Sequence, residues 1–186
     1  SLADPAEGAP VPARVVEAPR VRADAVDPPA WCEMLGLSPS EAVGALVWRA
    51  AERSGTLREM GEFVADADAS RSVRRAAANH LELAAQWGVF DADGLAGSPF
   101  AGEVTVLDTS GLDPAPANAL VRAVAAELYA RRVEGGTDRL PWLLVDEAHA
   151  FFSGIGGPGL RRLLTRGRQP GVSLVVATQR PSALPE

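Results

Sequence analysis

Two short stretches of this chain hold residues that could do chemistry together. The first is Asp146-Glu147, which directly follows the apolar run Trp142–Val145. An unbroken apolar run suits a strand buried on both faces, as in a parallel sheet under helices. Acids at its end would stand at the carboxyl edge, where open α/β sheets bind ligands. Phosphoryl transfer needs one carboxylate to hold a hydrated Mg²⁺ and often a second to orient or deprotonate water. Asp146 is the natural metal ligand of such a pair and Glu147 the natural base. The plainer alternative is a buried strand that ends in a solvated Asp-Glu turn. The second stretch is Thr178-Gln179-Arg180, which follows another apolar run, Val172–Ala177. An amide at the tip of a neighbouring strand can hold the attacking water or report on a γ-phosphate. Between the two runs, residues 159–168 form a helix candidate that leads into Arg166-Gly167-Arg168-Gln169-Pro170-Gly171.

Leu-Leu-Val-Asp-Glu-Ala-His (143–149), Arg-Gly-Arg-Gln-Pro-Gly-Val (166–172) and Ala-Thr-Gln-Arg-Pro-Ser (177–182) resemble, in order and spacing, the HerA/FtsK group of RecA-like P-loop ATPases. The nearest likeness within that group is to archaeal HerA-type DNA translocases. It is strong over 140–184, weaker over 103–139 and vague before that. It implies that Asp146 and Glu147 are the Walker B acids, with Asp146 on the metal, Thr178 beside the nucleotide and Gln179 as a polar sensor. It also implies that Arg166 and Arg168 reach a neighbouring subunit's nucleotide, and that His149 positions Glu147 or couples the site to DNA. The cofactors implied are ATP and Mg²⁺. The partners implied are DNA, further copies in a ring, a hexamer in such proteins, and a nuclease. The sequence departs from the group in one respect. All 18 basic residues are arginine, so the Gly-Lys-Ser/Thr phosphate loop is missing. Either the chain is a piece that starts after that loop, or it is a relative that has lost nucleotide binding and works as an interaction module. A conjugation or secretion motor is a further alternative.

The elements that must position these residues fall into three parts. Residues 1–29 read as an extended linker, because six prolines disfavour a helix, with short strands allowed around Arg14-Val15-Val16. Residues 30–95 read as a small helical subdomain. Ser38-Pro39-Ser40-Glu41 predicts a capped helix start, Thr56-Leu57-Arg58-Glu59 predicts a second, and Ser70 or Ser72 opens a third. Trp31, Trp48 and Trp87 are the expected core there, and His80 is expected to be partly buried. Arg71, Arg74 and Arg75 form a basic cluster that reads as a solvated face or a DNA or partner contact. Residues 96–186 read as a partial RecA-like core: strand 103–107, helix 113–133, strand 142–145, a helix, and strand 172–177. Asp108 is read as a capping residue or a neighbour of the nucleotide. The Gly-rich stretch 152–159 is read as a mobile loop. The fold class expected is α/β, a partial parallel sheet sandwiched by helices with an inserted all-α subdomain. The three strands are expected side by side in that order. The far edge of 172–177 is then open unless 13–21 folds over it, which predicts marginal solubility.

Composition narrows the choices. The chain has 186 residues, 47% of them hydrophobic, which suffices for one domain with a real core. No stretch approaches the length of a membrane span, no signal peptide is evident, and Cys32 stands alone, so a reducing cytoplasm is expected and a cysteine metal cluster is not. The net charge is −6, but residues 131–180 carry eight arginines against four acids, and the rest ten arginines against twenty acids. The basic segment suits phosphate or DNA contact, or pairing with the acidic part of another copy.

Overall fold

The computed structural model describes residues 12–94, 104–134, 140–152, 156–167 and 171–184. The chain is mixed α/β. Strand β1, Ala13–Val16, pairs in parallel with β2, Val104–Leu107, and β3, Trp142–Val145, pairs in parallel with β4, Ser173–Val176. Between β1 and β2 come α1 (Pro28–Met34), α2 (Ala42–Arg53), α3 (Leu57–Asp66) and α4 (Arg71–Gln86). Helix α5, Pro114–Val133, lies between the two ladders. The short α6 (His149–Phe152) and α7 (Gly157–Arg166) connect β3 to β4.

The helical part forms where the caps and apolar spacing predict, with one exception. Thr56 makes a full capping box: its Oγ1 accepts the Glu59 N–H at 3.2 Å, and Glu59 Oε2 accepts the Thr56 N–H at 3.0 Å. Ser70 caps α4, accepting the Val73 N–H at 3.4 Å. Ser38 does not cap α2, which starts only after Glu41. Its hydroxyl bonds instead to Ser40 Oγ at 2.8 Å, and the 38–40 turn lies directly on Gly44. A Cβ at Gly44 would stand 2.0 Å from the Ser38 carbonyl oxygen, so that glycine lets the turn close onto the helix.

The stretch read as a linker or short strands forms β1 over Ala13–Val16, and its linker alternative is corrected. From residue 12 onward it belongs to the fold. Val21 pairs with Phe90, Val21, Ala23 and Val26 are buried, and Pro28-Pro29 opens α1 rather than closing a linker. Proline at the first helical positions loses no hydrogen bond. Trp31 is fully buried, donates its Nε1–H to the Ala23 carbonyl at 3.1 Å and stacks on Phe90 at 4.7 Å. Trp48 and Trp87 are only half-buried, as is His80.

Helix α5 ties the molecule together. Leu120, Val124 and Leu128 join the core of the helical part, while Ala125 packs with Val145, Phe152, Leu160 and Leu163. Its Arg122 holds Asp27 through two bonds of 2.7 Å, fixing α5 to the start of α1. The three expected strands are not one ladder. β1 takes an edge of β2, and among the described residues β2 and β3 share no hydrogen-bonded pairing. Leu107 and Leu143 instead pack into the same apolar cluster, so side chains and not backbone bonds bring the two ladders to α5. The stretch 13–21 therefore does not cover β4, whose one described neighbour is β3.

Candidate functional site

The parallel register places the tips of β3 and β4 together. Val145 stands opposite Val176, Ala177 donates its N–H to the Val145 carbonyl at 2.9 Å, and Ala148 donates back to the Ala177 carbonyl at 2.9 Å. These two bonds staple the Asp146–Ala148 turn onto the end of β4. Residues 32 positions apart in sequence meet there: Gln179 Nε2 donates to Glu147 Oε1 at 2.8 Å.

The turn has an unusual backbone. Glu147 has φ +47°, the one positive φ outside glycine among the described residues. The left-handed region costs an L-residue about 1–2 kcal/mol. Such a conformation persists only where its surroundings over-determine it, and it clusters at functional sites. Here the surroundings are concrete. Asp146 Oδ1 accepts the Glu147 N–H at 2.8 Å, and Glu147 gives its own carbonyl to the Ala150 N–H at 2.9 Å, which starts α6.

Three further groups complete the cluster. His149 Nδ1 lies 3.1 Å from Thr178 Oγ1 and 3.1 Å from Glu147 Oε2. Only the first contact has the alignment of a hydrogen bond, so Oε2 is a carboxylate oxygen out of solvent with no hydrogen bond. Thr178 Oγ1 also accepts the Arg180 N–H at 3.0 Å. Glu147, His149 and Thr178 are half-buried, whereas Asp146, Gln179 and Arg180 are exposed.

No family model and no curated protein matches the chain.

The site therefore rests on its own geometry. Asp146, Glu147, Thr178 and Gln179 come together at one edge, as their positions in the sequence predict. Arg166 does not join them. It is exposed in the last turn of α7, beside the start of β4, where Ser173 bonds back to Pro141, at the opposite end of the strands. Arg168 lies outside the described residues, as does the middle of the Gly-rich stretch, 153–155. Asp108 makes the plain local contact: its Oδ1 accepts the Ser110 N–H at 2.9 Å, and that bond holds its carboxyl below the usual range. One residue passed over in the sequence is Asn118. It is buried on α5, accepts the Gly156 N–H at 3.1 Å and so anchors the start of α7. An asparagine within an Ala-rich helix start was its only signal.

The donor set suits one kind of metal binding. Among the described residues no cluster of three or more His, Cys, Asp or Glu side chains could cage an ion. Mg²⁺ in nucleotide sites needs no cage: one or two carboxylates suffice, with water and substrate phosphates filling the octahedron. A single exposed Asp146 beside a half-buried Glu147 fits that pattern. Two clefts lie elsewhere. One, of about 440 Å³, is bordered by Arg22, Asp24, Glu127 and Arg131, and another, of about 610 Å³, by Trp48 and Ser54. The acid pair sits at the strand tips, with Asp146 exposed and Glu147 half-buried.

Proposed function

We propose that this chain supplies the acid and sensor side of a Mg²⁺-ATP hydrolysis site in a RecA-like motor of the HerA/FtsK kind, acting on DNA. The observation that carries the reading is the Glu147–Gln179 hydrogen bond across the tips of two parallel strands. A carboxylate and an amide in contact can orient one water between them, the task of a base and its sensor in phosphoryl transfer. The left-handed backbone of Glu147 adds to this, since a purely structural turn residue would be free to relax it.

In this reading Asp146 would hold the Mg²⁺, which neutralises charge on the phosphates when bound. Glu147 takes the proton from water and Gln179 fixes that water's position. Thr178 stands next to the nucleotide. Arg166 and Arg168 would serve a neighbouring copy in a ring, which suits an Arg166 turned away from its own chain's acids. The phosphate-binding lysine must come from other polypeptide, because these 186 residues contain none. DNA and a nuclease partner belong to the same proposal.

The test is ATP turnover, with and without duplex DNA, by the protein extended upstream to include any phosphate loop. Mg²⁺-dependent turnover that DNA stimulates is the expected result. No turnover in that protein would leave an interaction module as the function.

A further inference from the structure

Glu147 Oε2 is buried without a hydrogen bond, and a buried unpaired acceptor costs about 1–3 kcal/mol. The donor next to it is His149 Nδ1 at 3.1 Å, which is aligned on Thr178 instead. A bare nitrogen lone pair would repel a carboxylate oxygen at that distance, so Nδ1 carries the hydrogen. Thr178 Oγ1 then accepts twice, from His149 and from the Arg180 N–H, while Oε2 accepts nothing. Meanwhile the other oxygen, Oε1, is held by the Gln179 amide. In this arrangement the carboxylate has its front oxygen blocked and its back oxygen unsupported.

From this geometry we infer that His149 is a positioning residue for Glu147, and that its Nδ1–H has two stations. It rests on Thr178 while Gln179 holds Oε1, and it moves to Oε2 when a ligand draws Gln179 away. Thr178 and Gln179 are adjacent at the tip of β4, so a ligand that takes the amide acts one residue from the hydroxyl that holds the histidine. A small rotation of the imidazole then fills the vacant bond and fixes the carboxylate with Oε1 turned to water. The trigger is a group that competes for the Gln179 amide, such as a terminal phosphate oxygen. The inference rests on the reading of Glu147 as the base.

The first test needs no activity. The chain has two histidines, so the ring ¹⁵N spectrum of His149 is assigned by comparison with a His80 variant. The expected form carries a hydrogen on Nδ1. Thr178→Val removes the resting station, so the Nδ1–H resonance should move downfield as it bonds to the carboxylate, and Thr178→Ser should restore the original position. A ring with no hydrogen on Nδ1 in the unaltered chain, or a Thr178→Val spectrum identical to it, overturns the inference. The second test uses the upstream-extended protein. His149→Phe should lower kcat about a hundredfold with KM unchanged, and His149→Asn, which keeps a donor at the Nδ1 position, should recover most of it. Equal kcat in the Phe and Asn variants would overturn the positioning role. Failure of the ATPase reading is seen separately, as wild-type turnover in Glu147→Gln.

Discussion

Glu147 carries a charged side chain on a left-handed backbone, and that combination can be separated by mutation. Glu147→Ala and Glu147→Gly both remove the carboxylate and the bond to Gln179. Glycine alone relieves the backbone, so the glycine variant should be more stable than the alanine variant by about 1 kcal/mol in urea denaturation. Equal stabilities would show the turn to be unstrained. A second residue-scale prediction concerns Glu59. The backbone N–H groups of Gly55 and Thr56 bond its carboxylate and hold its pKa below the ordinary value. A depressed folded-state pKa stabilises the fold above the ordinary carboxyl range, near pH 4.3, and the contribution is lost as pH falls through the folded value. Glu59→Gln should therefore flatten the acid side of the stability–pH curve, and an unchanged slope would contradict the capping role. At this scale much was legible in the sequence. Asp146-Glu147 and Thr178-Gln179 each follow an apolar run, and strand tips in parallel register bring them together. The left-handed φ of Glu147 was not legible, because nothing in a Glu between Asp and Ala marks it. Nor was the contact of His149 with Thr178, which depends on where one turn of helix begins.

Among the elements, the sequence patterns that carried information were caps with a reciprocal partner. Thr56-Leu57-Arg58-Glu59 forms the capping box because Glu59 reaches back to the Thr56 N–H. Ser38-Pro39-Ser40-Glu41 has the same pattern, but the chain folds its turn onto Gly44, and α2 starts later. Tertiary contact decided between two local options of similar energy, which a single sequence cannot reveal. Gly44→Ala should accordingly cost about 1–3 kcal/mol, since the added methyl meets backbone and not a yielding side chain. Thermal or urea unfolding checks this, and a neutral substitution would mean the 38–40 turn is free to move. Thr56→Ala should cost about 1 kcal/mol by the same measurement. The strand at Ala13–Val16 falls where Arg14-Val15-Val16 allowed one, whereas the start of α1 differs from the sequence reading for a related reason. Prolines at 28 and 29 disfavour a helix interior but suit a helix start, and only the buried Trp31 that follows shows which applies.

For the molecule as a whole, each parallel ladder turns one face inward, only half-buried in β1 and β2, and leaves the other exposed. Trp142 is 66% and Leu144 69% exposed, with Val175 beside them, and Val15, Val104 and Val106 are exposed on the first ladder. Parallel sheets are ordinarily covered on both faces, and an open apolar face promotes association. Sedimentation velocity should show concentration-dependent self-association of this chain, reduced by Leu144→Glu. A monodisperse monomer at high concentration would contradict it. No helix among the described residues is long and apolar enough to cross a membrane. The class of fold was readable from strands alternating with helices. The division into two ladders was not, because four-residue strands carry too few hydrogen bonds for pattern to fix their neighbours. The central claim concerns Glu147, and single-turnover ATP hydrolysis by the upstream-extended protein beside its Glu147→Gln variant tests it most directly. Nucleotide should still bind the variant while the chemical step slows by about 10²–10⁴-fold. Hydrolysis at the wild-type rate in Glu147→Gln would contradict it.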